Sequence, residues 1–248
     1  MRVAVVIPTY GQFDYAEQAL QTLSATCDDF AALVVDDASP TYTPEIERQL
    51  RQAVPKGTYY FHRFADNFGI TRSWNWGLRK ARELGAEYTV TTNSDILFTP
   101  GWWEPFLAVL QPDRLALAGP LTNAPGDSPQ QWVLAKLADY TADDSPAALA
   151  ETAEKLLAYR EAWAETPVNG FFQIAKTATF WANAHTRENV YNPQYRMVRS
   201  EYDLQRRLLA RGLKRGVAYG SFVFHYRGVS RGLGRGPAKR GAFRRATC

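Results

Sequence analysis

Short apolar runs that break off into polar clusters punctuate the first hundred residues. Val3–Ile7 runs into Pro8-Thr9-Tyr10-Gly11, Leu33–Val35 into Asp36-Asp37-Ala38-Ser39, and Tyr88–Thr92 into Asn93-Ser94-Asp95. Between these strand-like runs the period changes to a helical one. Tyr15–Thr26 carries Ala16, Ala19, Leu20 and Leu23 on one face, with Asp14 as the expected N-cap. Pro44–Val54 reads as a helix with Thr43 as cap and Pro44 at its first position. Tyr59–Phe64 alternates as a short strand, and Ser73–Leu84 is helical up to a closing Gly85. Trp102–Leu110 reads as a helix after the Pro100-Gly101 break, and Leu115–Ala118 as a further strand. Strand–helix alternation predicts an α/β fold with a mostly parallel central sheet and helices on both faces. Open sheets of this kind bind ligands beyond the carboxyl ends of their strands. Three strands therefore deliver an amide, hydroxyls and carboxylates to one edge, a site for something polar and phosphorylated.

The second half is organised differently. Ser145–Ala164 starts with a Ser cap and a Pro, and carries Leu149, Ala153, Leu156, Leu157 and Trp163 as one apolar stripe. It reads as a helix packed on the sheet, with a lid or acceptor-side element as the functional alternative. Val168–Ala175 is a strand, Glu201–Arg211 a helix ended by Gly212, and Val217–His225 a strand bent by Gly220. No repeat or linker separates these elements. The expectation is one domain over 1–232, with a nucleotide and metal half at 1–118 and an acceptor half at 119–232, followed by a basic flexible tail at 233–248.

Composition adds limits rather than chemistry. The chain has 248 residues and an ordinary soluble balance, 46% hydrophobic and 22% charged. No apolar stretch is long enough to span a bilayer, and Val3–Ile7 is too short for a signal-peptide core. Cys27 and Cys248 make no disulfide framework, so a cytoplasmic protein is expected. The net charge of +4 is unevenly spread: after His225 come Arg227, Arg231, Arg235, Lys239, Arg240, Arg244 and Arg245 and no acidic residue. Beyond Gly232 the Gly-rich, anchor-poor sequence reads as a solvated terminus. Peripheral contact with an anionic membrane face is the role that charge suggests there, and nucleic acid is not expected as a partner.

The strand ends hold the candidate chemistry. Asp95 offers a hard oxygen ligand of the kind Mg²⁺ or Mn²⁺ prefers, and a diphosphate sharing the cation needs few protein ligands beside it; an ordinary turn at a strand end is the structural alternative. Asp36 and Asp37 set two like charges side by side, which is costly without a cation or hydrogen-bond donors. A base N–H and ribose hydroxyls would supply donors; a turn or a helix cap is the structural alternative. Asn67-Phe68-Gly69-Ile70 and Ser73-Trp74-Asn75-Trp76-Gly77 bracket a loop entering a helix, where amides and backbone N–H groups can face a nucleotide. Trp74 and Trp76 are core or site residues on equal terms. His62 reads as a surface or edge residue, and His185, in the loop Asn183–Asn189, as a loop residue, with an approach to the acceptor as the less favoured alternative.

Taken in order, Val5-Val6-Ile7-Pro8-Thr9-Tyr10, Val34-Val35-Asp36-Asp37-Ala38-Ser39, Asn67-x-Gly69 with Asn75-x-Gly77, and Asn93-x-Asp95 resemble the signature of family 2 glycosyltransferases of the GT-A fold. Ser200-Glu201-Tyr202-Asp203-Leu204 is similar to that family's Glu-Asp-x-Asp-Leu segment, and His225-Tyr226-Arg227-Gly228 to its histidine after the last core strand. The resemblance runs from Arg2 to about Ser230. It implies that Pro8, Thr9 and Tyr10 line the base with Asp37, that Asn67 lies near base and ribose, and that Asp36, Asn75, Asn93 and Ser94 complete the nucleotide-sugar side. It implies Asp95 and His225 as ligands of Mn²⁺ or Mg²⁺ and Glu201 as general base, with Asp203 the second carboxylate of that segment. Asn169-Gly170-Phe171 resembles the segment on the acceptor side, a tight turn into a strand being the structural alternative. Arg227 and Arg231 are candidate diphosphate contacts. Two departures stand out: Asn93 replaces a common first aspartate, and Ser200 replaces a glutamate.

The implied activity is an inverting, metal-dependent transfer from a nucleoside diphosphate sugar, a UDP-sugar first, to an acceptor hydroxyl on a saccharide, a lipid-linked glycan or a protein, as in polysaccharide biosynthesis. Two other readings are a nucleotidyltransferase on a similar scaffold and a non-catalytic nucleotide-sugar binder. The first needs a Gly-rich, basic phosphate loop, whereas Pro8–Tyr15 has one glycine and neither Lys nor Arg.

Overall fold

A computed structural model describes residues 2–124, 130–141 and 143–226. The first strands form where the apolar runs predicted them: β1 (Val3–Thr9), β2 (Phe30–Asp36) and β4 (Tyr88–Thr92) are buried along their whole length. Alternation is present inside these runs but hidden, because both faces are covered. Val3, Val5 and Ile7 of β1 enter one core, with Ala32 and Val34 of β2. Ala4 and Val6 enter the opposite core, with Ala31, Leu33 and Val35. Helix α1 (Phe13–Thr26) covers the first face, and α3 (Ile70–Glu83) the second.

Among the described residues the sheet has nine strands, in the order β3-β2-β1-β4-β8-β6-β9-β5, with β7 pairing β9 beside this path. Strands β1 to β4, with β3 at Thr58–Arg63, run parallel. β8 (Phe172–Lys176) runs against them, between β4 and β6 (Leu117–Leu121). β9 (Arg215–His225) is parallel to β6, and β5 (Ile96–Phe98) and β7 (Trp163–Glu165) pair antiparallel with β9. The sheet is open and mostly parallel, as predicted. Register brings Ile96 opposite His225, so the loop after β4 and the end of β9 meet at one point.

Helix ends follow their local chemistry. Thr43 caps α2 (Pro44–Gln52) by accepting from the Ile46 N–H, and Pro44 opens the helix. Gly85, at φ +68, ends α3 with its N–H on the Arg82 carbonyl while the Ala86 N–H reaches Ala81. Asp14 lies inside the first turn of α1 rather than at its cap, which is Gln12. The carboxylate there complements the helix dipole instead of accepting from the backbone.

The stretch 145–164 departs from expectation at its end. Helix α6 (Pro146–Leu157) packs Leu149, Ala153 and Leu156 against Val217, Phe222 and Phe224 of β9, a covering helix rather than a lid. Trp163 leaves that stripe for β7, where it pairs with Ala218. Gly220 of β9 makes room for the intervening turn; a Cβ there would lie 2.5 Å from Arg160 Cα. Helices α4 (Glu104–Val109), α5 (Gln130–Ala138), α7 (Thr177–Ala182) and α8 (Ser200–Leu209) are the other helices among the described residues. Among the described residues no helix is long and apolar enough to cross a membrane. The basic segment from Arg227 onward lies outside the described residues.

Candidate active site

The nucleotide side is built where β1 and β2 end. Pro8 and Thr9 are buried, and Thr9 Oγ1 has no hydrogen-bond partner among the described residues. Tyr10 is half exposed (51%), a free aromatic face at the rim. Behind them the two carboxylates are held by the protein itself. Asp36 is fully buried, ion-paired to Arg63 and hydrogen-bonded by the Ser39 hydroxyl, which also accepts from the Gly11 N–H at 2.7 Å. Register puts Asp36 opposite Arg63 on the neighbouring strand, so the pair is a cross-strand brace. Asp37 accepts the N–H groups of Phe68 and Gly69 at 2.8 and 2.7 Å, one on each oxygen. Charge-assisted bonds to two consecutive N–H groups fix the loop that carries Asn67. Asn67 is exposed, and Arg196 donates to its carbonyl and side-chain oxygens at 2.8 and 3.2 Å. Gly69 sits at φ +89 against the Arg196 carbonyl, which a Cβ would approach to 2.5 Å.

The second group assembles at the end of β4. Asn93 and Ser94 are half-buried and Asp95 is buried. Asp95 Oδ1 lies 3.4 Å from His225 Nε2. The imidazole is oriented from behind: Nδ1 is 3.1 Å from the Ala124 carbonyl, which can only accept, so Nδ1 carries the proton. Asn123 grips the His225 backbone, accepting its N–H at 2.8 Å and donating to its carbonyl at 3.0 Å. Nε2 faces Asp95, is buried, and has no hydrogen-bond partner among the described residues. The Phe171 ring stacks on the imidazole at 4.7 Å and 13°. This nitrogen and the Asp95 carboxylate suit a divalent cation of the Mn²⁺ or Mg²⁺ kind as two adjacent ligands. Among the described residues no further His, Cys, Asp or Glu joins them, so the other positions would fall to substrate oxygens and water.

The third group is set by α8. Gln205 ties this helix to the lead-in of β8, donating to the Val168 carbonyl at 2.8 Å and accepting its N–H at 2.9 Å. One turn earlier, Glu201 is thereby brought over Gly170, where a Cβ would come within 3.1 Å of the carboxylate carbon. Burial pushes the Glu201 pKa up, opposed by hydrogen bonds from the Ser200 hydroxyl and from the backbone of Arg199 and Glu201 itself. Its Oε2 is buried with no hydrogen-bond partner among the described residues. Arg199, just before the helix, has φ +77, a costly conformation for a side chain with a Cβ.

The convergence runs through one dipeptide. Gly170 faces Glu201, Phe171 stacks on His225, and the Phe171 carbonyl accepts the Asn93 N–H at 2.9 Å and the Thr92 hydroxyl at 2.8 Å. Asn169 accepts the Phe171 N–H at 3.1 Å and shapes the turn. Asn93, Asp95, Gly170, Phe171, Glu201 and His225 thus form one connected edge.

Three expected site residues are elsewhere. Asp36 is spent on Arg63 and Ser39 in the interior. Asn75 is buried, and its amide clamps both backbone groups of Tyr191, at 2.8 and 2.9 Å. Asp203 is bound at 3.1 Å by both Arg206 and Arg207 along its own helix, away from the Glu201 face. Arg227 lies outside the described residues. Trp74 is core, with its N–H on the Thr92 carbonyl at 2.9 Å. Trp76 stacks flat on His62 at 4.5 Å, and burial lowers the His62 pKa. The supporting roles of Asn123 and Gln205 were not anticipated. For Gln205 the spacing of one turn from Glu201 is the available signal.

Comparison with known proteins agrees with this architecture. A model of "Glycosyl transferase family 2" matches residues 4–187. Among solved structures, the chain resembles residues 1–349 of S. aureus TarS at 16% identity and TM-score 0.59, covering 91% of this chain and 60% of that one. TarS has also been solved in complex with UDP. The mannosyltransferase PcManGT of Pyrobaculum calidifontis, solved with GDP-Man and Mn²⁺, matches at 18% identity and TM-score 0.60, over 97% of this chain and 58% of that one. GalNAc-T7, solved with UDP, GalNAc and Mn²⁺, matches at 12% identity and TM-score 0.60, over 90% and 43%. The chain therefore spans three-fifths or less of the length of these structures. At such identities the likeness speaks for the GT-A fold, while the match over residues 4–187 reaches past the first three strand ends and stops before Glu201 and His225. On that match, the chain belongs to glycosyl transferase family 2.

Proposed function

We propose that the chain moves a sugar from a nucleoside diphosphate sugar to an acceptor hydroxyl, inverting the anomeric centre in one displacement. The observation that carries this reading is the buried, unpartnered Oε2 of Glu201, linked through Gly170-Phe171 to the Asp95–His225 pair. An acceptor hydroxyl must lose its proton as it attacks, and a carboxylate within reach contributes about 10²–10⁴-fold. Glu201 fits because burial strengthens its hold on a proton. Its new O–H bond forms as the acceptor oxygen bonds the anomeric carbon and the bond to the diphosphate breaks.

The leaving diphosphate gathers negative charge. Asp95 and His225 would hold a divalent cation against it, and the cation when bound supplies electrostatic stabilisation of that charge. Pro8, Thr9, Tyr10 and the Asp37-braced loop at Asn67 line the base and ribose side in this reading, with Asn93 and Ser94 toward the sugar. Nucleoside diphosphates bound by the similar structures, UDP for TarS and GDP-Man for the mannosyltransferase, support the donor class. A UDP-sugar is the first candidate, and the acceptor a saccharide or lipid-linked glycan.

The test is a thermal-shift screen of UDP, GDP, TDP and their sugars with and without Mn²⁺, since a ligand stabilises the folded chain by mass action. One family of diphosphates should raise the midpoint only with Mn²⁺, and Asp95→Ala should remove that increment. Glu201→Gln should keep the increment and lose transfer. Equal shifts in Asp95→Ala and the parent would remove the clamp, and full turnover in Glu201→Gln would remove the base.

A further inference from the structure

The register of β9 on β6 jumps just before His225. Pro120 lies opposite Ala218, and the next pair is Leu121 opposite Phe222. Tyr219, Gly220 and Ser221 are therefore looped out of the ladder as a bulge. Three contacts hold it: the Tyr219 N–H on the Ala162 carbonyl at 2.9 Å, Gly220 packed on Arg160, and the Ser221 hydroxyl on the Trp102 carbonyl at 2.7 Å. The jump carries Asn123 level with the last residues of β9, where an even ladder would set it beside Ser221.

β6 itself ends at Leu121. Backbone groups of successive strand residues point to opposite sides. The Tyr226 N–H turns to the Asp95 carbonyl at 2.9 Å, on the β5 side, so the N–H and carbonyl of His225 turn the other way, past the end of β6. There the Asn123 side chain takes the place of a strand, accepting the N–H at 2.8 Å and donating to the carbonyl at 3.0 Å. Its amide orientation is fixed, because a backbone N–H only donates and a carbonyl only accepts. The Thr122 hydroxyl donates to the same Asn123 oxygen at 3.3 Å and fills its second lone pair. With these bonds made by a side chain, the next carbonyl, that of Ala124, meets the imidazole Nδ1 at 3.1 Å.

We propose that Asn123 is a positioning residue for the metal site: by standing in for a strand it sets the place of His225 beside Asp95 and the ring tautomer with the proton on Nδ1. A neutral imidazole binds a cation through the nitrogen that carries no proton, so that tautomer is the one Nε2 needs. The proposal rests on the reading of Asp95 and His225 as metal ligands. Other restraints act on different coordinates. Phe171 fixes the plane of the ring by stacking, and β5 sets Ile96 opposite His225, but neither reaches a ring nitrogen.

The experiment uses the full chain. Free Mn²⁺ is followed by EPR as the cation is added, alone and with UDP, and the imidazole nitrogens are read by ¹H–¹⁵N NMR without metal. The chain has three histidines, so His225→Ala assigns the resonances. In the parent the neutral His225 ring should show its proton on Nδ1. Asn123→Ala should lose that signature and weaken Mn²⁺ binding about 10–100-fold, the range for groups that orient a metal-bound histidine. Gly77→Ala, which strains the packing of α3 on Val6 of β1 instead, should keep both. Asn123→Asp matches the native side chain in size and serves should Asn123→Ala not fold. It keeps the bond from the His225 N–H, sets oxygen against oxygen at the carbonyl, and should disturb the same ring signature. Unchanged Mn²⁺ binding in Asn123→Ala, equal losses in Gly77→Ala, or an unchanged ring signature in either Asn123 variant overturns the positioning role. Mn²⁺ binding that survives in His225→Ala rejects the metal reading instead, and the ring signature then decides the role of Asn123 by itself.

Discussion

Replacing Asp37 by Asn exchanges one carboxylate oxygen for an NH₂ group at the point where the nucleotide loop is anchored. In the native chain each carboxylate oxygen accepts one backbone N–H, from Phe68 and from Gly69. The amide keeps one acceptor; its NH₂ group faces the other N–H, donor against donor. One charge-assisted bond becomes neutral and the second is lost in a site where Asp37 is 5% exposed. Hydrogen bonds to charged groups contribute about 1.5–3 kcal/mol and neutral ones about 1, so a loss of about 2–5 kcal/mol is expected. For a domain of this size about 2–4 °C accompanies each kcal/mol, so the ligand-free midpoint should fall by about 4–20 °C, read by calorimetry. Nucleotide binding should weaken as well, because the loop bearing Asn67 loses its anchor. A ligand-free midpoint within a degree of the parent, with only the nucleotide-induced shift lost, would falsify the anchoring argument. It would make Asp37 a direct contact to the base instead.

Gly77→Ala tests the packing of α3 on β1. A Cβ there would lie 2.2 and 2.4 Å from the two methyls of Val6, overpacking that costs about 1–3 kcal/mol and outweighs the helix-propensity gain of about 1 kcal/mol. The midpoint should drop by several degrees, and a rise refutes the close contact. The raised Glu201 pKa carries a stability signature with a definite sign. The folded chain holds that proton more tightly than the unfolded one, so the group's contribution is greatest at low pH. It is lost as pH rises from the ordinary value of 4.5 through the raised one. Glu201→Gln has no charge to desolvate and should melt higher than the parent above that window, the gap closing as pH falls. A gap independent of pH refutes desolvation as the cause.

The strands were legible because their faces are covered. Continuous apolar runs locate β1, β2 and β4, and Tyr88–Thr92 agrees at both ends. What was missed is short or unpunctuated. Ile96–Phe98 and Thr177–Ala182 are too brief to show a period. The end of α6 has no Gly or Pro to mark it; its C-cap is Ala158 in ordinary helical conformation. Which carboxylate of Asp36-Asp37 turns inward depends on the cross-strand register with Arg63, a tertiary fact. Asn75 illustrates a subtler miss. With α3 beginning at Ile70, Thr71, Asn75 and Leu78 follow one another on its buried face, a pattern that marks polar groups satisfied internally. With the helix read from Ser73, Thr71 drops out of that face and the signal weakens. Asp203 was legible in part, since its spacing to Arg206 and Arg207 makes pairing along the helix the natural outcome.

Strand order explains why residues so distant in sequence can act together. Inserting β8 antiparallel beside β4 brings the start of β8 to the edge where β4 ends, with Thr92 opposite Phe172. The dipeptide before β8 is therefore held by the metal-side loop through the Phe171 carbonyl, while its neighbour Val168 is held by α8 through Gln205. Gly170 and Phe171 have no ionisable group, yet each lies beside one: a Cβ on Gly170 would meet the carboxylate of Glu201, and Phe171 stacks on the ring of His225. A shift of this backbone moves the proposed base and the proposed metal ligand in one step. Near-attack geometry is unforgiving, a misplacement of about 1 Å costing about 10²-fold in rate. Rigidity at this dipeptide is accordingly what the catalytic reading requires, and the four hydrogen bonds that Asn93, Thr92 and Gln205 make with the backbone of Phe171 and Val168 provide it.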